Sequence, residues 1–364
     1  MTRTDAVRTR ATARHPFPSD PRPLRVRGAS DLTKGESLVT TSLESPPTTP
    51  PSSSRPASTS TRRRSGGLTR STAPFWLLTP AGLMIVFVTL LPIGFLVFTS
   101  FTNYNQRTLF TGAFDFVGLQ QYAAVLSDQA FWLSLIRTII FTAALVVGSV
   151  AIGAGMSHLM TRLPSGIRHL TTVVLILAWA MPNVASSIVW SWLFQPQYGV
   201  INWMLTQLRV FGDMTSRDWA SDPVLAWVCI WLLVVWGAVP FIALTLYAAE
   251  TQVAVELKEA ARLDGASEWR IYRVVVLPSI GPTILLVTML SIIWDFNVFN
   301  QIWLISEGGP NGATSTLGVF TYTTAFSGNL QIGAGSAIAV ASTIILAALS
   351  AVYIRHLVRS GEDL

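Results

Sequence analysis

Apolar positions along this chain gather into six runs, at about 76–102, 131–157, 170–194, 224–248, 279–305 and 331–354. Each run reaches the roughly 20 residues that a helix needs to cross a ~30 Å hydrocarbon core. Backbone groups in lipid must find partners within their own segment, so the runs predict helices. Pro92, Pro182, Pro240 and Pro282 fall inside or beside them, which membrane helices tolerate where neighbouring groups or water satisfy the freed carbonyls. The predicted fold is all-α and integral to a membrane, one bundle of six transmembrane helices over residues 75–360. Composition agrees: 51% of residues are hydrophobic and 12% charged, against roughly a quarter charged in a soluble domain.

Charge then orients the bundle. Thirteen basic residues precede residue 75, and Arg162, Arg168, Lys258, Arg262, Arg270, Arg273, Arg355 and Arg359 fall in loops or ends on the same side. The other side holds Arg107, Arg137, Arg209 and Arg217. Because cytoplasmic loops carry the excess of Lys and Arg, both termini and the loop at about 250–278 are expected in the cytoplasm of a multi-pass cell-membrane protein.

Residues 1–74 differ in kind. Rich in Arg, Ser, Thr and Pro and poor in apolar periodicity, they predict a disordered tail. Its excess of basic over acidic residues suits a solvated cytoplasmic arm touching anionic lipid headgroups. With no run of aromatic residues among the arginines, it offers no stacking platform for nucleic acid. Arg62, Arg63 and Arg64 before an apolar run mimic a twin-arginine export signal, against which the five further spans argue. No methionine lies between Met1 and Met84, so a shorter product would need another start such as Val39. The one cysteine, Cys229, sits in a span, where it packs as a small apolar residue and forms no intrachain disulfide.

The charged island between the fourth and fifth runs is the most informative segment. Glu256, Glu259, Ala260 and Leu263 recur at helical spacing, Gly265 is placed to end that helix, and Ser267 to cap another. A helix, a turn and a second helix are expected. Ala260, Ala261, Leu263 and Ala266 give a small apolar face suited to a groove on another protein.

These residues resemble the EAA loop of membrane subunits in bacterial ABC importers: Glu259, Ala260 and Ala261, then Asp264, Gly265 and Ala266, then Leu277 and Pro278. Tyr272 and Val275 stand where Phe and Ile are usual, Ala254 where Pro is common, and Glu250 where Leu is common. The resemblance covers about residues 75–360 and is nearest to the maltose-type and glycerol-phosphate-type sugar permeases. Leu91-Pro92, Ser100-Phe101, FVGL from Phe116 with Tyr122, Trp190 to Asn202, Trp236 with Pro240 and Phe241, EGGP from Glu307, and GAGSAIA from Gly333 follow in family order. Gln121 replaces the usual Asn, and the tail has no counterpart.

The resemblance implies a permease subunit that forms the pathway and couples through its cytoplasmic loop to two ATPase subunits. They would bind ATP and Mg; this chain would bind no cofactor. A second permease of different sequence, an extracytoplasmic sugar-binding protein and a sugar complete the implied assembly. Glu259 is expected in polar contact with the ATPase and Gly265 at the tight turn, with Asp264 a helix-end or water contact.

Catalysis finds no footing in the residues. Lys34 and Lys258 lack the Gly-Lys-Ser/Thr context of a phosphate loop, and His15, His158, His169 and His356 are scattered, in loops or at termini, with no metal-ligand spacing. A solute site is suggested by WDFNVFNQIW from Trp294, since polar groups in lipid face an interior or a water-filled cavity. On one continuous helix Trp294, Asn297 and Gln301 would share a face bordered by Asn300, while Asp295 would point elsewhere to another helix. A flat ring beside amides that donate and accept suits a sugar. Asn183, Ser186, Ser187 and Trp190 form a similar seam beside Pro182. Interhelical hydrogen bonds and interfacial tryptophans account for the same residues. A self-sufficient secondary transporter or channel for small polar solutes is the alternative, although Asp295 alone is central enough for a charged relay.

Overall fold

The structure is a computed structural model that describes residues 73–359 except 210 and 329. The tail expected over residues 1–74 therefore lies outside the described residues up to residue 72. Four helices are long and apolar enough to cross a membrane unbroken: α1 (Leu77–Thr99), α2 (Gln129–Arg162), α6 (Pro223–Thr251) and α12, whose span is Ile332–Arg355. Between them run α3 (Ser165–Trp179), α4 (Asn183–Leu193), α5 (Val200–Leu208), α7 (Val255–Leu263), α8 (Glu268–Ser279), α9 (Gly281–Phe296), α10 (Asn300–Ser306) and α11 (Leu317–Phe326).

Two of the six expected spans are not single helices. The third is α3 and α4, bent 98° at Met181–Pro182, and the fifth is α8 and α9, bent 70°. Pro182 has no N–H to donate and pushes the residue before it out of helical geometry, so α3 closes at Ala180 and α4 restarts beyond the proline. Pro282 stands in the first turn of α9, where a missing N–H costs nothing, and marks the second break. Pro240, inside α6, is carried without interruption.

Helix α2 runs five residues past the apolar run that predicted it. Asp128 caps its first turn, accepting from the Ala130 N–H at 2.8 Å, and Pro164 follows its end. At 1.5 Å per residue its 34 residues measure about 51 Å, well beyond a ~30 Å core. It packs along α6, the most extensive helix pairing in the bundle. Gly153 lets the two backbones close: a Cβ there would sit 2.6 Å from Ile242 Cγ2. Trp231 on α6 donates its Nε1–H to the Ala144 carbonyl of α2 at 3.0 Å. Phe141, Leu145, Ile230, Val234 and Val235 form the shared core with Ile302 of α10.

The segment between α4 and α6 is tied by one residue. Asn202, 1% exposed, donates to the carbonyls of Gln195 and Arg217 at 3.1 and 3.0 Å and accepts from Trp219 Nε1 at 2.6 Å. Leaving buried polar groups unpaired costs about 1–3 kcal/mol each. Asn202→Leu is therefore expected to lower the thermal midpoint of the purified protein by roughly 5 °C or more, at about 2–4 °C per kcal/mol for a chain of this size. A fluorescence melt superimposable on wild type would show that the knot contributes nothing.

Candidate functional site

A cavity of about 490 Å³ opens where α3, α4, α6, α9 and α10 meet, within the ~300–1,000 Å³ typical of ligand pockets. Its aromatic walls are Trp179, Trp236, Phe241, Trp294 and Phe299, and Phe241 stands 5.4 Å from Trp294, ring centre to ring centre. Its polar edge is made by Asn183, Ser186, Ser291, Asn297, Asn300 and Gln301, with Asp295 beside them.

The cavity gathers most of the sequence-predicted solute residues, but by a route other than a shared helix face. Helix α9 ends at Phe296 and α10 begins at Asn300, so the 100° periodicity does not apply across Asn297 and Gln301. Asn297 takes part in the break, donating from Nδ2 to the Ile293 carbonyl at 2.8 Å in competition with the helix ladder. Asp295, still within α9, also borders the cavity instead of pointing away; it is 7% exposed and its Oδ2 is enclosed with no hydrogen-bond partner. Ser187 is not in the lining: it is buried, its hydroxyl given to the Asn183 carbonyl at 2.6 Å. Trp190 packs against Phe194 and Trp236 near the C-terminal end of α4. Trp179, Phe241 and Ser291 are missed because their runs read as apolar spans, and Phe299 because its amide neighbours carry the signal of that stretch; Pro182 is the available sign that backbone opens beside α3.

The second constellation is the projecting loop. Helix α7 closes on a Schellman turn, in which the Ala266 N–H reaches the Ala261 carbonyl and the Gly265 N–H the Arg262 carbonyl, both at 3.0 Å. Gly265 takes φ +77°, a left-handed backbone that glycine adopts without steric cost. Ser267 caps α8 by accepting from the Arg270 N–H. Glu259, Ala260 and Asp264 are exposed, Ala261 and Ala266 half-buried. Leu263 is 89% and Trp269 67% exposed, two apolar side chains left in the open on this loop. Leu277 and Pro278 lie at the opposite end of α8, where it turns into α9.

This loop is fastened to the bundle by polar contacts. Glu250, 2% exposed at the end of α6, accepts from the Ser157 hydroxyl of α2 at 2.6 Å. His158 Nδ1 stands 3.5 Å from the same carboxylate, and its ring packs on Tyr272 with centres 4.1 Å apart. His158 is thus a helical residue with neighbours rather than an isolated loop histidine, because α2 continues past its apolar run. Lys258 of α7 donates to the Glu250 carbonyl at 3.4 Å. Arg262 donates to Glu268 at 3.0 Å, with Arg162 of α2 3.9 Å from that carboxylate. The hydrogen bond to Glu268 pushes the Arg262 guanidinium above its ordinary value; both groups are exposed, where such pairs contribute little stability.

A broken-helix bundle around a polar and aromatic cavity, with an exposed helix–turn–helix on one side, is the architecture of a membrane permease. Residues 149–360 match the family described as "Binding-protein-dependent transport system inner membrane component". The chain is 38% identical over 291 residues to the diacetylchitobiose uptake system permease protein DasB of Streptomyces coelicolor, covering 80% of this chain and 88% of that one. It is 29% identical over 272 residues to the trehalose/maltose transport system permease protein MalF of Thermococcus litoralis, covering 75% and 88%. A crystal structure of a bacterial ABC transporter involved in the import of the acidic polysaccharide alginate superposes with a TM-score of 0.67 at 16% identity, covering 80% of this chain and 96% of that one. The chain belongs to the family of binding-protein-dependent transport system inner membrane components, the permease subunits of ABC importers.

Proposed function

We propose that this chain forms half of the translocation pathway of an ATP-driven saccharide importer, with its solute site in the cavity at the breaks between α3 and α4 and between α9 and α10. The carrying observation is that Trp294, Asn183, Asn297, Asn300 and Gln301 line one space. Aromatic faces stack on the C–H face of a sugar ring, and amides satisfy its hydroxyls as donors and acceptors. Relatives whose names specify diacetylchitobiose and trehalose or maltose support a saccharide.

In this reading the face formed by Glu259, Ala260, Ala261, Asp264, Gly265 and Ala266 docks on an ATPase subunit, Leu277 and Pro278 pass its movement into α9, and both termini face the cytoplasm. ATP and Mg belong to two ATPase subunits, so this chain holds no catalytic group. A second permease, of different sequence, closes the pathway, and an extracytoplasmic receptor delivers the sugar. Closure of the ATPases on ATP would bias the bundle between two openings of the cavity through differential contacts in the two states.

The test is uptake into proteoliposomes holding both permeases, the ATPases and the receptor. Saccharide uptake is expected only with ATP inside the ATPase-accessible compartment, and receptor loaded with sugar should raise ATP hydrolysis. Uptake driven by an imposed ion gradient without ATPase would replace this reading with the secondary-transporter one.

A further inference from the structure

The charge of the solute can be read from what lines the cavity. Among the described residues that line it, from Ala178 on α3 to Gln301 on α10, there is no lysine, arginine or histidine, and Asp295 is the one ionisable group. We infer that the cavity accepts uncharged saccharides and rejects acidic ones, an inference that rests on the saccharide reading above. A transporter sharing this fold serves an acidic polysaccharide, so the fold leaves solute charge open and the lining residues decide it.

Three features give the cavity this sign. An anionic sugar would be stripped of water with no cation to receive it, a cost of several kcal/mol for an unpaired ion. Some of the polar lining has also spent donors internally: Ser186 gives its hydroxyl proton to the Asn183 carbonyl at 3.0 Å, and Asn297 one amide N–H to Ile293. Asp295, 7% exposed, is the one acidic side chain among the lining residues. Such an edge meets the donors of hydroxyl and acetamido groups and opposes carboxylate or sulfonate oxygens, which only accept. Helix dipoles do not reverse the balance, because the positive N-terminal end of α4 at Asn183 is matched by the negative C-terminal end of α9 at Phe296.

Saturation-transfer NMR on the receptor-free permease–ATPase assembly in nanodiscs reads this directly, since it detects millimolar binding and removes the receptor's own selection. The probes are diacetylchitobiose and maltose against the same disaccharides with a primary hydroxymethyl oxidised to carboxylate. Signal from the neutral sugars is expected at least tenfold above that from the acids, and Asn300→Lys is expected to raise the acid signal at least fivefold. Asp295→Asn, which removes the one lining carboxyl, should raise it by a smaller factor. Equal signals in wild type overturn the inference, as does a preference that neither substitution moves, since the discrimination would then be made outside the cavity. Absence of transfer from every sugar also overturns it. The importer reading fails separately, on ATP-dependent uptake in proteoliposomes.

Discussion

Gly265→Val is expected to abolish sugar-stimulated ATP hydrolysis while leaving insertion and abundance in the membrane near wild type. The residue sits at φ +77° with nothing within 4 Å of where a Cβ would go, so a Cβ there meets nothing else in this chain and the cost to the loop itself is in the backbone. That cost is about 1–2 kcal/mol for an ordinary L-residue in the left-handed region and more for a β-branched one. It falls on a two-helix loop with little buried surface to oppose it, so the turn should open and α8 should leave its position relative to α7. Hydrolysis is expected to fall at least tenfold, as is co-purification of the ATPase. Gly265→Asn separates conformation from side-chain identity: asparagine visits the left-handed region readily, so this variant should keep a large part of the coupling. If valine and asparagine prove equally active, or equally dead, the turn is not what the glycine supplies.

Gly153→Leu is expected to disrupt the bundle itself. A Cβ at this position meets Ile242 Cγ2 at 2.6 Å and Cβ at 2.9 Å, with the Ala243 backbone nitrogen at 3.4 Å behind them. Ile242 is itself 1% exposed and has no room to retreat, so α2 and α6 must separate along their most extensive contact. Overpacking by a few methylenes typically costs about 1–3 kcal/mol, and membrane helices that meet through small residues rely on that close approach for their packing. We expect at least a tenfold drop in monodisperse protein on size-exclusion chromatography, with Gly153→Ala intermediate. Gly155, two residues on, has nothing within 4 Å, so Gly155→Ala serves as the control and should elute as wild type.

The two glycines show where sequence reading succeeds. Gly265 was legible because its surroundings, Glu259 to Ala266 and Ser267, form a local signal in which helix, stop and cap lie within ten residues. Gly153 was not, because what makes it necessary is Ile242, distant in sequence and on another helix. The same division runs through the solute site. Trp294, Asn297, Asn300 and Gln301 stood out as polar groups in an apolar run, and the cavity brings them together. Their arrangement was misread because periodicity assumes continuous helix, whereas Asn297 turns its amide on the Ile293 carbonyl and ends α9 there. Trp179, Phe241 and Phe299 gave no signal, since an aromatic in a membrane span is ordinary until the backbone opens beside it. The extension of α2 through His158 to Arg162 was hidden for a related reason: hydropathy marks where a helix is greasy, and α2 continues into water on contacts to Glu250 and Glu268.

The exposed face of the projecting loop bears on how the protein must be made. Leu263 and Trp269 are both largely exposed on the segment that a motor subunit is proposed to cover. A chain inserted in the bilayer before its partners arrive therefore shows water an apolar patch of the kind that drives aggregation or invites association, and the turn at Gly265 holds that patch outward rather than folding it away. Supply of the ATPase would then govern how long the orphan survives as well as what the finished complex does. Production of this subunit alone works against its own architecture, and co-expression with the motor is the natural route to a stable preparation.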